Sequence, residues 1–297
     1  MISTIIIKLP GNLGNEASYK IDTLFYTNRY NMILNFIKRS LSFFIRKLNL
    51  ADLDSYIYER RMELAFQIDQ KHRSIVQYGP FKGMHLSSGD WWGKIDRPSM
   101  IYGFYEKEVL ESLTKEKGKF NTLIDVGAAD GYYAIGGVIS KTFKKSVCYE
   151  IAKDGQNQIR KNAQLNNVGE NIEIRGEAKR NFYDDFSQEE LSSSLILIDI
   201  EGGEFDIFSQ REDFEKLKHS TLIIESHALH FDDGDAKQQN LISMAQEFFD
   251  VTELKTGLRD FSNFADLRKY SDSDRWLMCS EGRGELMSWL RLEPKKN

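Results

Sequence analysis

Leu123-Ile124-Asp125-Val126-Gly127-Ala128-Ala129-Asp130-Gly131-Tyr132-Tyr133 decides the fold. An apolar run that ends in an acid, turns through glycines and opens a helix is how a doubly wound α/β domain builds a nucleotide-type site at the carboxyl end of its first strand. The glycine spacing narrows the ligand. A dinucleotide loop needs Gly at its first, third and sixth positions, so that a pyrophosphate can rest on the helix N-terminus. Counted from Gly127, those positions hold Gly127, Ala129 and Tyr132, so the fingerprint is broken. A nicotinamide-dependent oxidoreductase is disfavoured for that reason. Asp125 at the strand end also suits a cationic ligand better than a pyrophosphate. The pocket reads as one for a small, positively charged nucleoside.

Outward from this stretch, strand and helix alternate. The patterning predicts strands at 122–126, 146–151, 172–175, 195–200, 221–225, 251–255 and 275–280, with helices at 131–141, 153–165, 204–216 and 236–249. Such alternation implies βαβ crossovers and a mostly parallel sheet. The expected architecture is a Rossmann-like, doubly wound, seven-stranded α/β domain over residues 76–297, preceded by an N-terminal helical extension over 1–75. The last two strands have no clear helix between them and read as an antiparallel edge pair.

Composition bounds the function. A net charge of −5 argues against a phosphate track for nucleic acid as the main partner. No apolar run is long enough to span a bilayer, and the Ile5-Ile6-Ile7 start lacks a secretory layout, so the expected compartment is the cytoplasm. Cys148 and Cys279 sit in apolar, strand-like runs and read as buried thiols rather than a disulfide or zinc site. Residues 24–50 contain no acid, carry Arg29, Lys38, Arg39, Arg46 and Lys47, and repeat Ile33, Ile37, Leu41, Phe44 and Leu48 at helical spacing. This face is expected to pack on its own domain or on a second copy, with peripheral membrane contact as the alternative.

Two further strand ends carry chemistry. Glu150 lies 25 residues beyond Asp125, near the spacing at which an acid holds ribose hydroxyls, and Val147, Cys148, Tyr149 and Ile151 around it favour a pocket position. The next signal is Leu195-Ile196-Leu197-Ile198-Asp199-Ile200-Glu201-Gly202-Gly203-Glu204, an apolar strand opening into an acid-rich turn.

Asp125, Gly127 and Gly131 form an acid-x-Gly-x-x-x-Gly turn that resembles the first motif of class I S-adenosylmethionine-dependent methyltransferases. The acid-x-Glu-Gly-x-Glu run from Asp199 to Glu204 resembles the FkbM-type subgroup, which acts largely on sugars and on sugar-bearing or polyketide metabolites. Tyr102-Gly103-Phe104-Tyr105-Glu106 resembles the segment that leads into the first strand of such proteins, so the likeness covers residues 102–225. It implies S-adenosylmethionine as cofactor, held by Asp125, Gly127, Ala128, Gly131, Tyr132, Glu150, Ile151, Glu177, Ala178 and Asp199. The Gly176-Glu177-Ala178 turn would lie beside the adenine, Asp199 would face the methionine part, and Glu201 would sit on the turn above. Glu204 in the first turn of the next helix suits the helix dipole as well as it suits catalysis. The Asn-Pro-Pro-aromatic loop that similar enzymes use on bases is missing, which counts against base methylation.

Methyl transfer from a sulfonium is a direct displacement, so the protein chiefly aligns the reacting atoms. A base helps an alcohol acceptor, and His227, with His230 three residues on, is the candidate. The expected catalytic set is Asp199, Glu201 and His227. Asp199, Glu201, Glu225 and His227 also offer oxygen and imidazole ligands to a divalent cation. Scattered acids are commoner than metal sites, and no metal is assigned. Trp91 and Trp92 could cover the apolar face of a pyranose, although packing is the commoner fate of such rings. The expectation is O-methylation of a small-molecule, sugar or glycan acceptor without a nucleic-acid partner, the alternative being a non-catalytic docking scaffold on the same fold.

Overall fold

The structure is a computed structural model that describes residues 53–87, 93–262, 264–283 and 287–296. The helical stretch at 24–50 and the Trp91-Trp92 pair lie outside the described residues. The chain divides into two compact units, Met1–Glu59 and Arg60–Asn297, and the sheet belongs to the second. A helix spans Leu53–His72.

Seven strands form one sheet: β1 (Thr122–Val126), β2 (Lys145–Tyr149), β3 (Ile172–Arg175), β4 (Ser194–Ile198), β5 (Thr221–Ser226), β6 (Phe249–Leu254) and β7 (Ser288–Pro294), in the order β3-β2-β1-β4-β5-β7-β6. Strands β1 to β5 pair in parallel, and β7 runs antiparallel to both of its neighbours. Every residue of β1, β4 and β5 is buried, as expected of parallel strands covered by helices on both faces. Alternate residues feed two cores. Leu123, Leu195, Leu197 and Ile223 pack on one face with Leu110 and Ile135; Ile124, Ile196, Ile198 and Ile224 pack on the other with Ile207, Phe214 and Leu241. Because β1 lies between β2 and β4, the strand order reverses at β1, which opens a crevice beyond the carboxyl ends of β1 and β4.

The predicted seventh strand at 275–280 is instead a helix, Asp272–Cys279. The Ser271 hydroxyl accepts the Asp274 N–H at 3.1 Å, and Asp272 and Asp274 in the first turn favour its dipole. The true β7 lies between β5 and β6 and runs antiparallel to both, so the last two strands do form an antiparallel pair at the edge of the sheet, with β6 outermost. Trp289, Leu290, Arg291 and Leu292 are all buried, which erases the alternation that marks a half-exposed strand. Arg291 is tolerated there because it donates to Ser112 and Glu116. The predicted helix 204–216 is two pieces, Glu204–Ile207 and Arg211–Leu217, the second restarted where Gln210 N–H donates to Asp213 Oδ2 at 2.9 Å. Cys148 and Cys279 are both buried free thiols.

Candidate active site

The turn after β1 is shaped by glycine. Gly127 has φ +89°, and a Cβ there would run into the carbonyl oxygen of Asp199, so the turns after β1 and β4 touch backbone to backbone. Gly131, at φ +83°, turns the chain into the helix Tyr132–Ile139. Ala129 between them holds φ 49°, a costly conformation for a residue with a side chain. Its amide is tied down: Ala129 N–H donates to Glu150 Oε2 at 3.0 Å, while Ala152 N–H donates to Glu150 Oε1 at 2.7 Å. Glu150 therefore clamps the glycine turn to the end of β2.

Asp125 is buried, and its Oδ2 has no hydrogen-bond partner among the described residues. Burial, then the charges of Asp199, Asp130 and Glu150, push its carboxyl up to about 8. Asp125 thus feels the carboxyl groups of Glu150 and Asp199, which stand just beyond the ends of β2 and β4. The other expected cofactor residues divide. Ala128 is buried beside the turn, whereas Ile151 and Glu177 lie open to solvent and Ala178 is half-buried against the core. Tyr132 is a core ring, edge-on to Phe81, Tyr105 and Tyr133.

Beyond β4 and β5 lies a denser cluster. His227 is 2% exposed, and its Nε2 faces Asp199 Oδ1 at 3.5 Å, Glu201 Oε2 at 3.6 Å and Glu225 Oε2 at 3.5 Å. On its other side Nδ1 faces Glu204 Oε1 at 3.4 Å. Burial opposes protonation of this ring, but Glu204, Asp199 and Glu201 outweigh it and raise its pKa. A raised pKa keeps the ring protonated to higher pH, and a protonated imidazole is not free to take the proton that sequence reasoning assigns to His227. Burial, followed by the charge of Asp199, drives the Glu225 carboxyl up to about 11, and burial also raises Asp199.

Glu204 opens the helix Glu204–Ile207, as the sequence reading expected of a first-turn acid, and it does more than favour the dipole. It is fully buried, and it accepts Gly202 N–H at 2.9 Å and His227 N–H at 2.8 Å, stitching the β4 turn to the end of β5. Glu201 and Gly202 both hold positive φ, so this turn presents Glu201 outward while Glu204 faces inward.

A cavity of 450 Å³ opens on the cluster, lined by Asp96, Tyr105, Asp199, Glu201, Glu225, His227, His230, Glu281, Arg283 and Met287. Arg283 is its organising cation. It donates to Glu225, Glu106 and, at 3.1 Å, Glu281, and Glu106 in turn accepts the Tyr133 hydroxyl. Sequence reasoning missed Asp96, Glu281 and Arg283, which come from loops far from the glycine turn. The one available signal was Glu281-Gly282-Arg283, a charged pair around a glycine directly after an apolar run.

A sheet ordered β3-β2-β1-β4-β5-β7-β6 with β7 alone reversed is the Rossmann-like methyltransferase fold. No family model and no curated protein sequence matches the chain. Among solved structures, it is similar to the Bacillus subtilis M1A22 tRNA methyltransferase TrmK, at 12% identity and a TM-score of 0.39 over 63% of this chain and 64% of that one. It is similar to Streptococcus pneumoniae Sp1610, a candidate tRNA (m1A22) methyltransferase in complex with S-adenosyl-L-methionine, at 20% identity and TM-score 0.41 over 64% and 73% of the two chains. The methyltransferase FkbM from Methylobacillus flagellatus matches at 14% identity and TM-score 0.40, over 59% of this chain and 44% of that one. Identities this low concern the fold alone.

Proposed function

We propose that the protein is an S-adenosylmethionine-dependent methyltransferase acting on an oxygen of a small-molecule, sugar or glycan acceptor. The observation that carries this reading is Asp125, buried beside Glu150 and Asp199 with an oxygen unpartnered among the described residues. A buried acid of this kind calls for a cationic or hydrogen-bond-donating ligand. The residues present therefore fit the cofactor, which supplies an electrophilic methyl group on a sulfonium.

Gly127, Ala128 and Gly131 let the backbone approach the cofactor, Asp125 and Glu150 accept its donors, Ile151, Glu177 and Ala178 border the adenine end, and Tyr132 braces the turn from the core. Asp199, Glu201 and His227 stand at the acceptor end, next to the 450 Å³ cavity. In the reaction the acceptor oxygen gains the methyl carbon, the C–S bond breaks with its electron pair left on sulfur, and the hydroxyl proton is released. Carboxyl groups of Asp96, Asp199, Glu201, Glu225 and Glu281 line the cavity and suit an acceptor rich in hydroxyl donors, such as a sugar. The same acids, with the net charge of −5, disfavour a polyanionic acceptor. Calorimetric titration with S-adenosylhomocysteine tests the reading: saturable heat is expected, and none from folded protein at high concentration refutes it.

A further inference from the structure

We propose that Asp199, Glu201 and His227 are the protein ligands of a divalent first-row cation of the Mn2+ type, seated at the mouth of the acidic cavity. One ligand atom from each of the three lies within 4.8 Å of the others. The Nε2 separations of 3.5 and 3.6 Å from the Asp199 and Glu201 oxygens are close to the ~3 Å that adjacent ligands keep around an ion bound at about 2.1 Å. A contraction of about half an ångström brings these two separations to that value, and Glu201 is exposed and able to move.

Charge supports the assignment. Four carboxyl groups, from Asp199, Glu201, Glu204 and Glu225, surround one imidazole, and the nearby Arg283 is already shared among Glu225, Glu106 and Glu281. Among the described residues, His227 is the one ion-pair partner of Asp199, Glu201 and Glu204. The second, independent observation is His227 itself. It is 2% exposed, its Nδ1 makes no hydrogen bond among the described residues, and its Nε2 is aimed at the acids, 3.5 Å from Asp199 Oδ1 and 3.6 Å from Glu201 Oε2. Glu204 behind it holds the His227 backbone N–H at 2.8 Å and faces Nδ1 at 3.4 Å. A proton on Nδ1 pointing at Glu204 leaves the Nε2 lone pair free for a metal, the carboxylate–histidine–metal arrangement in which Glu204 is a positioning residue.

The mixed oxygen and nitrogen donors favour a first-row ion over Ca2+. Three protein ligands leave positions open for water or for an acceptor hydroxyl. The role of the ion rests on the methyltransferase reading: it would orient the acceptor oxygen and lower its pKa, so that the O–H proton passes to water as the C–O bond forms and the C–S bond breaks.

The test adds Mn2+ alone to the full-length protein and follows free Mn2+ by electron paramagnetic resonance. One ion per chain is expected, with nitrogen modulation from a coordinated imidazole in the pulsed spectrum. Glu201→Gln, at an exposed position that does not risk folding, should weaken Mn2+ binding about 10-fold or more, and Glu204→Gln about 10- to 100-fold. Absence of binding, binding without nitrogen coupling, or unchanged affinity in Glu201→Gln each overturn the proposal. S-adenosylhomocysteine titrations on the same samples keep the two readings apart. Cofactor heat without Mn2+ binding sinks only the metal site, and Mn2+ binding without cofactor heat sinks only the methyltransferase reading.

Discussion

Glu150→Ala separates a structural clamp from a ligand-binding group. In the structure Glu150 accepts two backbone hydrogen bonds, from Ala152 at 2.7 Å and Ala129 at 3.0 Å, and the Ala129 bond restrains a residue at φ 49°. Hydrogen bonds to a charged group contribute about 1.5–3 kcal/mol each, and some of that is recovered by water reaching this 7% exposed position. The variant should therefore lose about 2–4 kcal/mol of folding stability, read from urea unfolding. If the carboxylate also accepts two ribose hydroxyls, S-adenosylhomocysteine affinity should fall by a further 1–3 kcal/mol or so, about 5- to 150-fold in Kd. Calorimetry below the unfolding transition separates the effects. A less stable variant that binds the nucleoside as tightly as the parent would reduce Glu150 to a loop clamp and refute the ribose assignment.

Two more substitutions probe the crevice. Asp125 has its folded-state pKa pushed up to about 8, above the ~3.9 of an unfolded chain, so it is neutral in the fold where the unfolded chain is ionised. Its contribution is therefore unpenalised below about pH 4 and becomes destabilising as pH rises towards 8. Asp125→Asn should remove this slope, so the stability gap between variant and parent should widen from pH 5 to pH 7; urea midpoints that shift in parallel would contradict the burial argument. Gly127→Ala meets both a positive φ and the Asp199 carbonyl and should cost more than about 2 kcal/mol, whereas Gly118→Ala, at φ +84° with open space around it, should cost only about 1–2. Equal melting temperatures for the two would rule out close approach of the turns after β1 and β4.

Much of the sheet was legible because fully buried strands read as unbroken apolar runs. Leu195 to Ile198 and Thr221 to Ile224 could be little else, and Thr122–Val126 and Ile172–Arg175 match the expected bounds. The run 275–280 was misread because eight residues with two buried positions fit either period, and the cap at Ser271 decides for a helix. The acids at the ends of β1, β2 and β4 were readable from local spacing alone. His227 was found together with Asp199, Glu201 and Glu225, whereas the approach of Glu204 to its other ring nitrogen, from the first turn of the next helix, emerges only in three dimensions.

The sequence by itself determined the strand-turn-helix at Asp125, the broken dinucleotide fingerprint and the acid-rich turn at Asp199, since each is written within a dozen residues and governed by backbone conformation. Tertiary structure alone decided that Arg283 reaches Glu225 and Glu106, that Glu204 turns inward to hold His227, and that β7 enters between β5 and β6. Those outcomes depend on which separated chain segments bury one another's charges, and pairings across 23 to 177 residues leave no periodic trace along the chain.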